Sequence, residues 1–124
     1  MWIKANPNPG KKEVPDCVIR AISIALNMPW TVVYDELCYL GRKEYNMPSA
    51  DSVWGLYLYN LGFEPFTLPT CPKCITIDEF TKMYPRGTYI IGTGSHAVAI
   101  IDGNFFDSWD SGHEVCSFFW RIAI

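Results

Sequence analysis

From Cys17 to Leu26 the chain is apolar at nearly every position. Arg20, Ser23 and, just beyond, Asn27 break the run, and their i, i+3, i+7 spacing puts them on one narrow stripe of a helix. A helix with so little polar surface is expected to be wrapped by the rest of the protein. Pro15 keeps the preceding backbone extended and Asp16 is a good N-cap, which places Cys17 in the first turn. Asn27-Met28-Pro29-Trp30 interrupts the pattern. Thr31 then caps an expected second helix reaching about Leu40, with Val33, Leu37 and Leu40 inward and Gly41 as its stop. After a polar link from Arg42 to Pro48, Ser49 caps an expected third helix ending at Leu61-Gly62, with Val53, Tyr57 and Leu61 on one face and Trp54 and Leu58 on another.

Beyond Gly62 the signals change. Phe63 to Leu68 alternates weakly and contains Pro65, which marks an edge strand. Thr76, with Asp78 and Glu79 behind it, caps a further helix. From Pro85 onward the period is that of strands: Arg86-Gly87 is a turn, Tyr89 to Ile91 a buried strand, Gly92 to Ser95 a flexible approach, and His96 to Ile101 a second strand. Asp102-Gly103 is a two-residue hairpin signal, and Phe105 to Trp109 returns antiparallel. Ser117 to Ile124 reads as one more strand and Met1 to Lys4 as a short one. Asn6-Pro7-Asn8-Pro9-Gly10 forbids regular structure and makes an arm that delivers the backbone to Cys17. The expected fold class is α+β: N-terminal helices with a buried central helix, packed on a C-terminal antiparallel β-sheet, as one domain over residues 1–124.

Composition narrows the function classes. The 124 residues are 49% hydrophobic and 15% aromatic, enough for a dense core. A net charge of −3, with no basic stripe, argues against a general nucleic-acid binder. No stretch approaches the ~20 apolar residues of a membrane helix, and no charged segment followed by an apolar run opens the chain. The expectation is a cytoplasmic protein with no membrane partner.

The five cysteines, at 17, 38, 71, 74 and 116, are odd in number and expected to be reduced, not a disulfide scaffold. Cys38 sits beside the inward stripe of its helix and reads as core filler. Cys71-Pro72-Lys73-Cys74 is half of a tetrahedral zinc site, which Cys38, Cys116 or His113 would have to complete in space. A redox pair would sit at a helix start after a strand. The remaining reading is a turn with two incidental thiols.

Cys17 carries the candidate chemistry. In the first turn of a helix, unpaired amides and the positive end of the dipole favour a thiolate, which can be reactive near neutral pH. A base is offered by His96, behind Gly94 and Ser95, where another element can approach closely. His113, in the polar segment Asp110 to Glu114, reads as solvated. If Asp102 and Gly103 are the loop, Ile101 pairs with Asn104 and His96 falls opposite Trp109. Asp107 is then one diagonal step away on the same face, and Asp110 points to the other. A three-residue loop would instead set Asp110 opposite His96.

These residues together resemble the papain-like cysteine peptidases. The likeness lies in a cysteine starting a buried helix, then Gly87-Thr-Tyr-Ile-Ile91, Gly94-Ser-His-Ala-Val-Ala-Ile-Ile-Asp-Gly103 and Phe106-Asp-Ser-Trp-Asp110, as in compact bacterial and phage members. The resemblance implies Cys17 as nucleophile, His96 as base and Asp107, or Asp110, as the orienting acid. It implies acyl transfer on a protein or peptide substrate with no metal or organic cofactor. Many such enzymes place a glutamine before the cysteine to bind the oxyanion. Here only Asn6 and Asn8 offer side-chain amides upstream, and Lys11 or Lys12 a charge. The alternative function is a silent member of the same fold that binds a host or partner protein, to which the many Tyr and Trp residues are suited.

Overall fold

The structure, a computed structural model, describes residues 1–123. Its elements are β1 (Trp2–Lys4), α1 (Cys17–Leu26), α2 (Trp30–Lys43), α3 (Asp51–Asn60), β2 (Glu64–Thr67), α4 (Ile77–Met83), β3 (Thr88–Gly92), β4 (Ala97–Ile101), β5 (Asn104–Asp107) and β6 (Phe118–Ala123). The strand expected over Ser117 to Ile124 is present as β6, and its last residue, Ile124, lies outside the described residues.

The class is α+β, with one correction to the sheet. Six strands lie in the order β1-β5-β4-β3-β6-β2. They are antiparallel except β1, which runs parallel to β5, so the sheet is mixed. Three residues of β1 add an edge beside β5, a pairing across a hundred residues that no local pattern announces. At the other edge sits β2, which accommodates Pro65 there.

The strands β3 and β4 read as continuous apolar runs because both sheet faces are covered. Ile90, Ala97, Ala99 and Trp120 face α1, α2 and α3, packing with Ile22, Leu37, Trp54 and Leu58. Tyr89, Ile91, Val98, Ile100 and Phe119 face the other way, onto Ile77 and Phe80 of α4. Full burial of one such side chain contributes about 1.5–3 kcal/mol. The sheet leaves Gly92 no room for a side chain, since the Phe118 ring crosses it and a Cβ there would collide with that ring.

Every residue of α1 is buried or half-buried, as its apolar pattern requires. The stripe of Arg20 and Ser23 is no solvent face: both are buried, and the Ser23 hydroxyl donates to Met28 O at 2.6 Å. The chain leaves α1 at a 119° bend. Thr31 does not cap α2; Pro29 takes the N-cap position, and the helix runs through Gly41 to Lys43. Gly41 lies inside the helix and does not stop it; its lack of a side chain serves the close approach of Asn46 and Pro48, a Cβ there lying 2.9 Å from Asn46 O. Ala50, not Ser49, is the N-cap of α3, and Leu61 is exposed. Thr76 does cap α4, closing a capping box with Glu79.

Cys71 and Cys74 form a disulfide, correcting the expectation of five free thiols. A tight turn closed by Lys73 N–H to Thr70 O brings their Cα atoms to 4.4 Å, within disulfide reach. The pair is not half of a zinc site: its sulfurs are bonded to each other, and no cluster of three or more metal-ligand side chains occurs among the described residues. Among those residues, no single helix is long and apolar enough to cross a membrane.

Candidate functional site

The β4–β5 hairpin settles the register that sequence left open. Asp102 (φ 48°) and Gly103 (φ 78°) make the two-residue loop, both in the left-handed region that a type I′ turn demands. Ile101 therefore pairs with Asn104 and Ala99 with Phe106. That register brings Asp107 to His96, with Oδ2 to Nε2 at 2.6 Å. Asp110 is exposed and, among the described residues, accepts only from the Gly112 N–H at 3.1 Å, so the alternative third member is not at the site. His96 precedes β4, held by a turn in which Thr93 N–H donates to His96 O at 2.9 Å, with Gly94 at φ 100°.

The edge strand β1 explains how Asp107 is held. Ala5 N–H and Trp2 Nε1–H both donate to the Asp107 carbonyl, at 2.9 and 3.1 Å. The carboxylate is satisfied on all sides. Its Oδ1 accepts from Ser108 N–H at 2.8 Å and Arg20 Nη2 at 3.1 Å. Its Oδ2 accepts from Ser111 Oγ at 2.6 Å besides His96. Donors alone surround it, which suits an orienting anion and leaves it no proton to give.

His96 thus presents Nε2 to Asp107, which leaves Nδ1 for the Cys17 thiol, and the thiol lines the same hollows as the ring. Trp109 lies over the imidazole, with ring centroids 5.1 Å apart. Burial by itself raises the Cys17 thiol. Hydrogen bonds from His96 and the Ala97 backbone, with the charges of His96 and Arg20, outweigh it, and the net shift is downward. For His96, burial pulls downward, but Asp107 and Cys17 push it up from 6.5 to about 9. Burial likewise raises Asp107, while His96, Ser111 and Ser108 hold it below the usual carboxylate range. The arrangement favours an imidazolium between a thiolate and a carboxylate. Cys116 shows the opposite case: burial and nearby Glu79 push it up to about 12.

These shifts set a sign for stability against pH. A raised base contributes stability that is full below its unfolded value and lost through its folded one, for His96 between 6.5 and about 9. A lowered acid does the reverse, so the Cys17 contribution is full above 9.0 and lost as pH falls. The unfolding free energy of the wild type minus that of Cys17→Ala is therefore expected to grow as pH rises toward 9.0. Denaturant titrations across that range check it, and a difference that shrinks would contradict the pairing.

Two hollows flank the thiol. One of about 390 Å³ lies between Glu13 to Pro15 of the arm and Ser108 and Trp109. The other, about 250 Å³, lies between Ser49 and Asp51 at the start of α3 and the segment Gly94 to Ala97. Both reach Cys17, Ser95 and His96, so a bound chain can pass across the sulfur.

Neither expected oxyanion side chain is present in these hollows. Asn6 Nδ2 donates to Lys12 O at 3.1 Å, and Asn8 Oδ1 accepts from Gly10 N–H at 2.8 Å. Lys11 Nζ donates to Asn6 O, and Lys12 does not reach the cleft. The Pro- and Gly-rich arm uses its own side chains to hold its turns. At the start of α1, the first helical bond is Arg20 N–H to Asp16 O at 2.9 Å. Among the described residues, the amides of Cys17, Val18 and Ile19 have no partner, as is usual for a first turn. His113 is exposed, with its ring 6.1 Å from that of Trp109. Cys38 is half-buried and free.

Sequence reasoning missed Arg20, Ser111 and Trp30. For Arg20 a signal existed, a lone charge in an apolar helix four residues after Asp16. For Ser111 and Trp30 there was none. Comparison of the chain with protein-family models, with curated proteins and with solved structures found no match.

Proposed function

We propose that this chain is a cysteine-dependent acyl-transfer enzyme of papain-like type, a small peptidase or amidase acting on protein or peptide substrates. One observation carries the reading: a single imidazole, hydrogen-bonded to the buried Asp107 carboxylate, shares a cleft with the Cys17 thiol.

The thiolate of Cys17 attacks the carbonyl carbon of an amide or thioester, forming a C–S bond and an oxyanion. The open amides at the start of α1, led by that of Cys17, are the donors that would stabilise that charge. As the C–N or C–S bond to the leaving group breaks, His96 gives its proton to the departing atom. Water, or an amine, then adds to the thioester with His96 taking its proton, and Cys17 is released. Asp107 keeps the imidazole in place and balances its charge throughout. Hydrolysis, deamidation and transamidation share these steps.

The test is capture of the acyl-enzyme. Brief exposure to a peptide thioester, followed by acid quench and intact-mass analysis, is expected to show one acyl adduct, mapped to Cys17 and absent from Cys17→Ala. No adduct, or one that persists in Cys17→Ala, would overturn the reading.

A further inference from the structure

Arg20 is the only charged side chain in α1, and it is 7% exposed. Three residues beyond Cys17, its guanidinium reaches back to two carboxylates at once. Nη1 contacts Asp16 Oδ1, and Nη2 donates to Asp107 Oδ1 at 3.1 Å. A buried ion pair is a poor way to gain stability, because desolvation offsets much of the attraction, and an apolar side chain of like size would serve the core as well. The arrangement is better explained by what it does to each carboxylate.

By occupying Oδ1 of Asp107, Arg20 leaves Oδ2 turned toward His96 and Ser111. Its effect on Asp16 is less usual. A carboxylate at an N-cap ordinarily turns onto the amides of the second or third helical residue, here Val18 and Ile19. Asp16 occupies the N-cap position and makes no such bond. Its Oδ1 is on Arg20, and its Oδ2 accepts from Trp30 Nε1 at 2.9 Å. Released, that carboxylate would cover the amides beside the nucleophile and set a negative charge where the oxyanion develops.

We propose that Arg20 is a positioning residue with two tasks: it aims Asp107 at His96, and it draws the Asp16 carboxylate off the start of α1 so that the amides beside Cys17 stay open to the substrate's carbonyl oxygen. The second task rests on the acyl-transfer reading above.

Two reactions of Cys17 separate these tasks from a purely structural one. Alkylation by iodoacetamide needs the thiolate and no oxyanion site, whereas acyl transfer from a peptide thioester needs both. In Arg20→Met, acyl transfer is expected to fall roughly 10²-fold, the scale of a lost oxyanion donor, while alkylation on its pH plateau changes little. The acid limb of the alkylation profile is expected to move up by about one pH unit, chiefly because Asp107 no longer holds the His96 imidazolium beside the thiol, with a smaller part from the lost guanidinium charge. Adding Asp16→Ala to Arg20→Met removes the obstructing carboxylate and is expected to recover about tenfold in acyl transfer.

Arg20→Lys covers the case in which the methionine variant does not fold. It keeps the charge, so the alkylation profile stays near wild type. One ammonium does not span both carboxylates, so acyl transfer falls about tenfold. Equal losses in both reactions of Arg20→Met with no rescue by Asp16→Ala, or an Arg20→Lys variant matching the wild type in both, would make Arg20 structural and overturn the proposal. A wild type that alkylates but never acylates refutes the acyl-transfer reading and the amide task with it. The Asp107 task is then still judged by the alkylation limb, and an unshifted limb in Arg20→Met overturns it.

Discussion

Replacing His96 with alanine is expected to lower acyl transfer by roughly 10³- to 10⁴-fold, the scale set by loss of general acid–base catalysis from a triad. Two losses combine. The imidazolium no longer lowers the Cys17 thiol by hydrogen bond and charge, so the thiol rises and its thiolate fraction at neutral pH falls. The leaving group also loses its proton donor. The thiol itself remains, held by α1, and Ala97 keeps its place in β4, so the fold should survive; the His96 side chain is buried near the rim of a cleft and not in either apolar cluster. Steady-state rates with a peptide thioester, alongside unfolding curves, check both halves. A variant that retains more than about a tenth of the wild-type rate would remove His96 from the chemistry.

Asp107→Asn is expected to damage both rate and stability. Four donors converge on this carboxylate: Ser108 N–H and Arg20 on one oxygen, His96 and Ser111 on the other. An amide in its place must turn an NH₂ toward one of these pairs, donor against donor, and it leaves Arg20 with one carboxylate where it had two. Removing one partner of a buried pair costs roughly 3–5 kcal/mol, which denaturant titration reads directly. The loss of orientation and counter-charge at His96 adds a fall of roughly 10²-fold or more in acyl transfer. Asp110→Asn is the control. Its carboxylate is exposed and, among the described residues, receives only the Gly112 N–H, so both quantities should stay near wild type. The opposite pattern, with Asp110→Asn the damaging change, would mean the hairpin register is wrong.

What was legible in the chain was what short-range chemistry fixes. Asp102-Gly103 demands a tight turn, the turn fixes the register, and the register puts Asp107 and not Asp110 beside His96. The apolar run after Cys17 likewise fixes a buried helix with the thiol in its first turn. Long-range pairings were not legible. Nothing near Trp2 announces that it will lie parallel to Phe105 and brace the Asp107 backbone. Asp16 was read as a helix cap from its position, yet its carboxylate is taken by Arg20 and by Trp30 from another helix. The same holds for the oxyanion site: Asn6 and Asn8 have suitable side chains at a plausible distance along the chain, but their hydrogen bonds go to the arm's own backbone. The CxxC segment was weighed for zinc, redox or nothing, and a turn that closes within four residues pairs its sulfurs with each other.

The pairing of Cys17 with His96 is tested most directly by the rate of Cys17 alkylation by iodoacetamide as a function of pH, with Cys38 and Cys116 replaced by alanine so that one reactive thiol remains. The expected result is an acid limb whose midpoint lies below the usual thiol value of ~8.5 and moves up when His96 is replaced by alanine. A wild-type midpoint at the usual thiol value, unmoved by His96→Ala, would contradict it.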